Sequence, residues 1–552
     1  MGGELGVVRF VSGWRRLSRP GISVGVACVA LLVAATPGTP APAPASPTPY
    51  ARPATHLPAA PVRDFMAQAA VAAVGDRNAA AQAAPAGEIS DNVEFLSNLP
   101  ELETAISAAF IDDIAYVSTV TGLYSVDISD PANPVLVGAA PQFIWENEHM
   151  TADPVRKRVF ITRDPRGYTS PATSGGTFPE GAVEIYDVSN PAAMLLVGYV
   201  RLPAGHTSTC LGNCDYLWTM GPASGSFNPP DWHGRPVFGT DITNALTPVD
   251  CPGPLDLNSN DGVTDYAHSV DPDANGVAWV SGRGHVRGFW VEGDHLNPVT
   301  GNVETATPCA PIPYGGGGTN EGNANEGIMH NSFHNLTASV DGRAGDVVMA
   351  TEEDVTSNCD LAGRFMTFDI GGSYQGQGWI NTDQTHFRIP SLGYWTPEGQ
   401  PGSSGCDSAH WFTDRGDALV AIAFYSQGTR LLDVSNPRDI RQVGYYVPTS
   451  TNSWAAYWRP QNLVVVTDFG RGLDIFRYHD EVSVPVGPPS VRQPPAAAAV
   501  APAEAPAGDG GAGGGGLPNT AGFPRGAALA IGAAALLLVA VGAGLPRRRR
   551  EV

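Results

Sequence analysis

One segment returns three times in this chain, and it limits the possible folds more than any other feature. Gly122–Gly138 reads GLYSVDISDPANPVLVG, Ala182–Gly198 reads AVEIYDVSNPAAMLLVG, and Thr429–Gly444 reads TRLLDVSNPRDIRQVG. Each copy has an apolar run ending in Asp127, Asp187 or Asp433, a polar turn holding Pro131, Pro191 or Pro437, and a second run closing on Val-Gly. β-Branched and aromatic runs suit a pleated sheet, proline fixes φ in the turn, and the neighbouring Asp or Asn can bond the local backbone. Each copy therefore predicts a β-hairpin, and its recurrence predicts a repeat fold.

Between residues 91 and 480 the chain divides into seven such units. Their second strands are expected at Ile114–Ser118, Val159–Thr162, Tyr216–Met220, Val277–Ser281, Val347–Thr351, Leu419–Phe424 and Leu463–Thr467. The seventh unit lacks a fourth strand after Tyr478, whereas Asn92–Asn98 reads like an outer strand ahead of the first unit. An N-terminal strand completing the last unit would close a ring and hide an open sheet edge. The expected fold is all-β, a seven-bladed β-propeller closed by that strand. The segments Leu123–Val137, Val183–Val197 and Leu431–Val443 resemble LVIVD repeats, known from secreted bacterial and archaeal seven-bladed propellers. The resemblance implies a fold and little chemistry.

The flanks predict export and anchoring. Arg15, Arg16 and Arg19 precede an apolar stretch from Ile22 to Ala35, so residues 1–45 read as a secretory signal. Residues 46–90 and 481–516 are Ala/Pro- and Pro/Ala/Gly-rich and read as disordered linkers. Residues 517–552 hold Leu517, Pro518, Asn519, Thr520 and Ala521, an apolar run long enough for a C-terminal transmembrane helix, and Arg547–Arg550. That tail resembles a Gram-positive LPxTG cell-wall sorting signal, with Ala521 where the motif has Gly. The resemblance implies attachment to the cell wall by a sortase; without cleavage, the helix anchors the chain in the membrane. Both readings put the propeller outside the cytoplasm. The net charge of −22 argues against nucleic acid as a partner. Of the seven cysteines, Cys28 lies in the signal; Cys210–Cys214 and Cys359–Cys406 are candidate disulfides among the other six.

Alignment of the units on their second strands places His149, His206, His268, His334 and His410 at matching positions near the start of the innermost strand. In a propeller that position lines the mouth of the central channel. Converging imidazoles could hold a transition metal such as copper, zinc or iron. Alternatively, one histidine per unit could bond a neighbouring unit's backbone. A histidine-lined propeller mouth is similar in architecture to the selenium-binding/methanethiol oxidase family. Long insertions fall on the same face, where Arg163, Arg283, His285, Glu352, Glu353 and Asp468 are candidates for the channel mouth. Calcium is not expected: Asp271-x-Asp273-x-Asn275-Gly276 opens like a calcium loop, but Gly282 stands where the closing Glu belongs. Two functions follow: a surface module binding an unidentified ligand or protein through the loop-rich face, or a metal-dependent extracytoplasmic enzyme.

Overall fold

The computed structural model describes residues 87–482, apart from 143, 145–146, 165–180, 203, 222–236, 254, 256–266, 283–284, 299, 315–317, 320–327, 354–362, 372–387, 390 and 406. The export segment, the sorting motif Leu517–Ala521, the apolar tail, Cys359, Cys406 and Arg283 lie outside the described residues. So do the linkers, apart from residues 87–90 and 481–482.

Among the described residues, seven sheets of four or more strands follow one another along the chain, antiparallel apart from one parallel pair at the outer side of the fourth. Blade 1 runs outward through Ala105–Ile111, Ile114–Thr119, Gly122–Asp127 and Val135–Pro141. The inner strands of the next six begin at Thr151, Thr207, Ala267, Ile328, Phe412 and Ser453. Each inner strand touches those of the neighbouring blades, and the seventh returns to the first, so the sheets close into a ring. Val93–Leu99 pairs with Gly472–Tyr478 as the outer strand of blade 7, as expected. Gly87–Ile89, read above as the end of a linker, instead adds a fifth strand to blade 6 by pairing with Arg441–Pro448.

Among the described residues, one apolar cluster packs between each pair of adjacent blades. Successive strand residues face opposite sides. Val347 and Met349 thus pack toward blade 6, whereas Val348 and Ala350 pack toward blade 4. Both faces of a blade are covered, which explains why its central strands read as continuous apolar runs rather than as an alternation.

The repeated segment also joins one blade to the next. Ser97 Oγ donates to Pro131 O at 2.7 Å, Ser125 Oγ to Pro191 O at 2.7 Å, and Thr367 Oγ1 to Pro437 O at 2.7 Å. In each case the proline turn of one blade docks on the blade before it. The glycine of Val-Gly makes room for this: a Cβ at Gly138 would sit 2.2 Å from Pro191 O, and one at Gly198 2.3 Å from Ala245 O. Gly138→Ala is therefore expected to lower stability by about 1–3 kcal/mol, as overpacking does. A fall in the urea midpoint at unchanged slope would report it.

Cys210–Cys214 forms a disulfide, as expected, and Cys251–Cys309 forms a second that the sequence reading did not pair.

Candidate metal centre

The side chains on the axis owe their placement to a local irregularity. Where an inner strand begins to pair, the register slips: between Ala105 and Ser107, Ala267 and Ser269, Met329 and Ser332, and Ser453 and Ala455. A bulge leaves a residue out of the ladder and re-aims its side chain. The residues left out include Ile106, His268, His330 and Trp454. Glu148, His206 and His410 hold the equivalent positions in blades 2, 3 and 6. Asn147 fixes the Glu148 backbone: its Oδ1 accepts from Thr162 N at 2.7 Å, and its Nδ2 donates to Ser107 Oγ at 2.8 Å.

Glu148 Oε2 lies 2.8 Å from His206 Nε2, 3.2 Å from His268 Nε2 and 3.0 Å from His330 Nε2. His206 Nε2 and His268 Nε2 are 3.0 Å apart. His410 Nε2 lies 3.8 Å from Glu148 Oε1, and Glu353 Oε2 lies 3.9 Å from His330 Nε2. All six side chains are buried.

The opposite ring nitrogens show which electron pairs meet there. His268 Nδ1 faces His330 O at 3.0 Å, and His410 Nδ1 faces Trp454 O. A carbonyl only accepts, so these Nδ1 atoms carry a proton; burial keeps the His268 ring neutral with its Nε2 lone pair toward the axis, whereas for His410 Glu148 outweighs burial and raises the ring above the ordinary imidazole value. His206 Nδ1 is paired with Asp164 Oδ2 at 2.8 Å, a carboxylate–histidine arrangement with the same effect. The Nε2 atoms of His206, His268 and His330 and the Glu148 carboxylate thus meet at contact distance, where protons shared among them or a metal cation offset the repulsion. Tetrahedral ligands about 2.1 Å from an ion lie roughly 3.4 Å apart, so little expansion would admit one.

Charge and burial act in opposite directions on these groups. Burial drives His268 down to about 4 and holds His330 well below the usual imidazole range. Burial would raise Glu148, but His206, His268 and His330 outweigh it and hold the carboxylate well below its usual range. Glu353 is pushed up by burial and by the Glu148 charge.

Two of the five expected histidines stand elsewhere. His149 follows the axial position, so it turns aside to stack on Trp411, ring centroids 4.5 Å apart, with Nδ1 3.2 Å from Thr209 Oγ1. Its place on the axis belongs to Glu148. His334 lies further along its strand, between Asp273 Oδ2 at 2.6 Å and Gly345 O at 2.7 Å. Its place belongs to His330. A small hairpin, Ser339–Val340 with Arg343–Ala344, is inserted between His330 and the second strand of blade 5, so counting back from that strand arrives at His334.

The channel-mouth candidates also separate. Glu353 joins the cluster. Glu352 accepts from Arg364 Nε at 2.8 Å, and Arg163 donates to Glu184 Oε1 at 2.9 Å. Asp468 accepts from Thr451 Oγ1 at 2.6 Å and from Gly470 N at 2.9 Å, which shapes a turn. His285 opens the third strand of blade 4, opposite Gly282. Asp273 Oδ1 accepts from Asn275 N and Val277 N at 2.8 and 3.0 Å, as in a hairpin turn.

The fold is that of a β-propeller with LVIVD repeats: the LVIVD repeat model matches residues 107–140 and 181–201, in blades 1 and 2. Comparison with curated proteins finds no match. Among solved structures, the chain is similar to the periplasmic gluconolactonase PpgL of Pseudomonas aeruginosa, with 14% identity, a TM-score of 0.42, and coverage of 69% of this chain and 93% of that one. It is also similar to the Cps50 (Swd1) β-propeller domain of Myceliophteria thermophila, with 10% identity, a TM-score of 0.38, and coverage of 70% and 99%.

Proposed function

We propose that this chain is an exported metalloprotein that holds a transition-metal ion of the zinc, copper or iron class on the propeller axis and performs metal-dependent chemistry there. The observation that carries the reading is the convergence of His206, His268 and His330 Nε2 on Glu148 Oε2, with the far nitrogens of His206 and His268 already bonded to acceptors. Imidazole nitrogen with one carboxylate suits those ions better than it suits calcium or magnesium. Export is supported by the arginine-led apolar leader and by the two disulfides, which persist in oxidising compartments. The LPNTA segment, apolar run and terminal arginines support an envelope anchor. A surface binding module is the second reading, favoured by the Asp294–Leu296/Val303–Thr305 hairpin, which exposes Leu296 and Val303.

Elemental analysis of the full chain, purified without an affinity tag, tests the metal reading. At least one equivalent of metal is expected, lost in His268→Ala and retained in His334→Ala. A folded chain with no metal overturns the reading and leaves the binding module. Asp164→Asn is expected to weaken metal affinity by about 10–100-fold, as loss of an outer-shell partner does. Competition against a chromophoric chelator measures that loss.

A further inference from the structure

We propose that the axis has a second metal position beside the first, so that the centre is dinuclear with the Glu148 carboxylate as its bridge. This rests on the metal reading above and adds an ion to it. The ligands are His410 Nε2, Glu353 Oε2 and Glu148 Oε1. All three atoms are buried, and none has a hydrogen-bond partner. They come from three different blades: His410 Nε2 lies 3.8 Å from Glu148 Oε1, and Glu353 and His410 offer ligand atoms within 4.8 Å of each other, in a group that also touches His330. Hydrogen bonds of this kind end near 3.2 Å, so the gaps are not bonds. Two ligands each about 2.1 Å from a shared ion stand roughly 3–4.2 Å apart, depending on the angle between them. The separation of His410 Nε2 from Glu148 Oε1 falls inside that range.

The surroundings hold these atoms in place. His410 Nδ1 donates to Trp454 O, which leaves Nε2 facing the gap, and the Tyr425 hydroxyl donates to Glu353 Oε1, which leaves Oε2 free. The His410 ring lies 4.9 Å from the Tyr425 ring and 5.1 Å from the Trp454 ring, so it is packed as well as bonded. Unpartnered buried polar atoms are costly unless something fills the gap between them.

The two positions differ in kind. The first has three imidazoles and Glu148 Oε2, a full tetrahedral set. The second has three protein ligands, which leaves a coordination place for water, hydroxide or a substrate oxygen, as catalytic ions require. Carboxylate-bridged pairs stand about 3.5–4 Å apart, a spacing that one carboxylate spans with its two oxygens. Blades 1 and 7 supply apolar groups near the open place, where Ile106, Val120 and Trp454 cluster with Tyr425.

The test is stoichiometry. Full chain stripped with a chelator and titrated with cobalt(II) is expected to take up two equivalents, and Glu353→Gln and His410→Gln one each. Uptake of one equivalent by the unmodified chain overturns the second position and leaves the metal reading standing; uptake of none overturns both. Two equivalents retained in both variants also overturns the ligand assignment. The unmodified chain decides the number by itself, so a variant that misfolds does not remove the test.

Discussion

Deleting Val93–Leu99 is expected to abolish cooperative unfolding of the propeller. The strand buries Val93 and Leu99, each contributing about 1.5–3 kcal/mol. It carries the Ser97 bond that docks blade 1 on blade 7, and the 2.9 Å bond from Asn98 Nδ2 to Asp474 Oδ1. Its loss also bares the backbone groups of Gly472–Tyr478 as an unpaired edge. The combined cost is about 5–10 kcal/mol, comparable with the whole stability of a typical domain. Near-UV circular dichroism during heating should show the sharp transition replaced by a gradual slope. Removing Gly87–Ile89 instead should change little, because all three residues are exposed. A sharp transition at an unchanged midpoint without Val93–Leu99 would show that ring closure does not depend on this strand.

Glu148→Gln is expected to weaken metal binding by at least about 100-fold, or about 2.7 kcal/mol. The amide keeps the shape of the side chain but loses the charge, and its nitrogen is a donor where the geometry needs an acceptor. Calorimetry with and without added zinc chloride separates this effect from damage to the fold. At a zinc concentration 100 times the dissociation constant, a bound ion stabilises the chain by about 2.7 kcal/mol. That increment should nearly vanish in Glu148→Gln, while the melting of the stripped variant stays close to that of the stripped parent. An equal zinc-dependent increment in both proteins would remove Glu148 from the ligand set.

The ring was legible because two signals agreed. The recurring Asp-x-x-x-Pro turn marks the outer hairpins, and the missing fourth strand after Tyr478 matches the surplus strand at Val93–Leu99. The axial side chains were only partly legible. His206, His268 and His410 stand where spacing placed them, because the connections that follow them to the second strand are short. His330 was hidden by the hairpin inserted before Val347. Glu148 was hidden by its neighbour His149, since position along a strand start says nothing about a bulge. The small residue that follows the axial position in blades 1, 3 and 4 (Ser107, Thr207, Ser269) has no counterpart in blade 2, where His149 follows Glu148. The cysteine pairing of Cys251 with Cys309 joins an outer strand to an insertion, and no local pattern announces it.

The pairing of Asn98 with Asp474 joins residues 376 positions apart. The strand Val93–Leu99 therefore waits, unpaired, until nearly the whole ring has followed it from the ribosome. Contacts of such long sequence separation slow the search for the native state, and each doubling of the loop adds roughly 0.6 kcal/mol of entropy cost to closure. The blades can assemble one upon another as they emerge, but the last sheet becomes whole only when Val93–Leu99 is brought back to it. The rate-limiting event in folding of the ring is thus expected to be the docking of Val93–Leu99 onto Gly472–Tyr478.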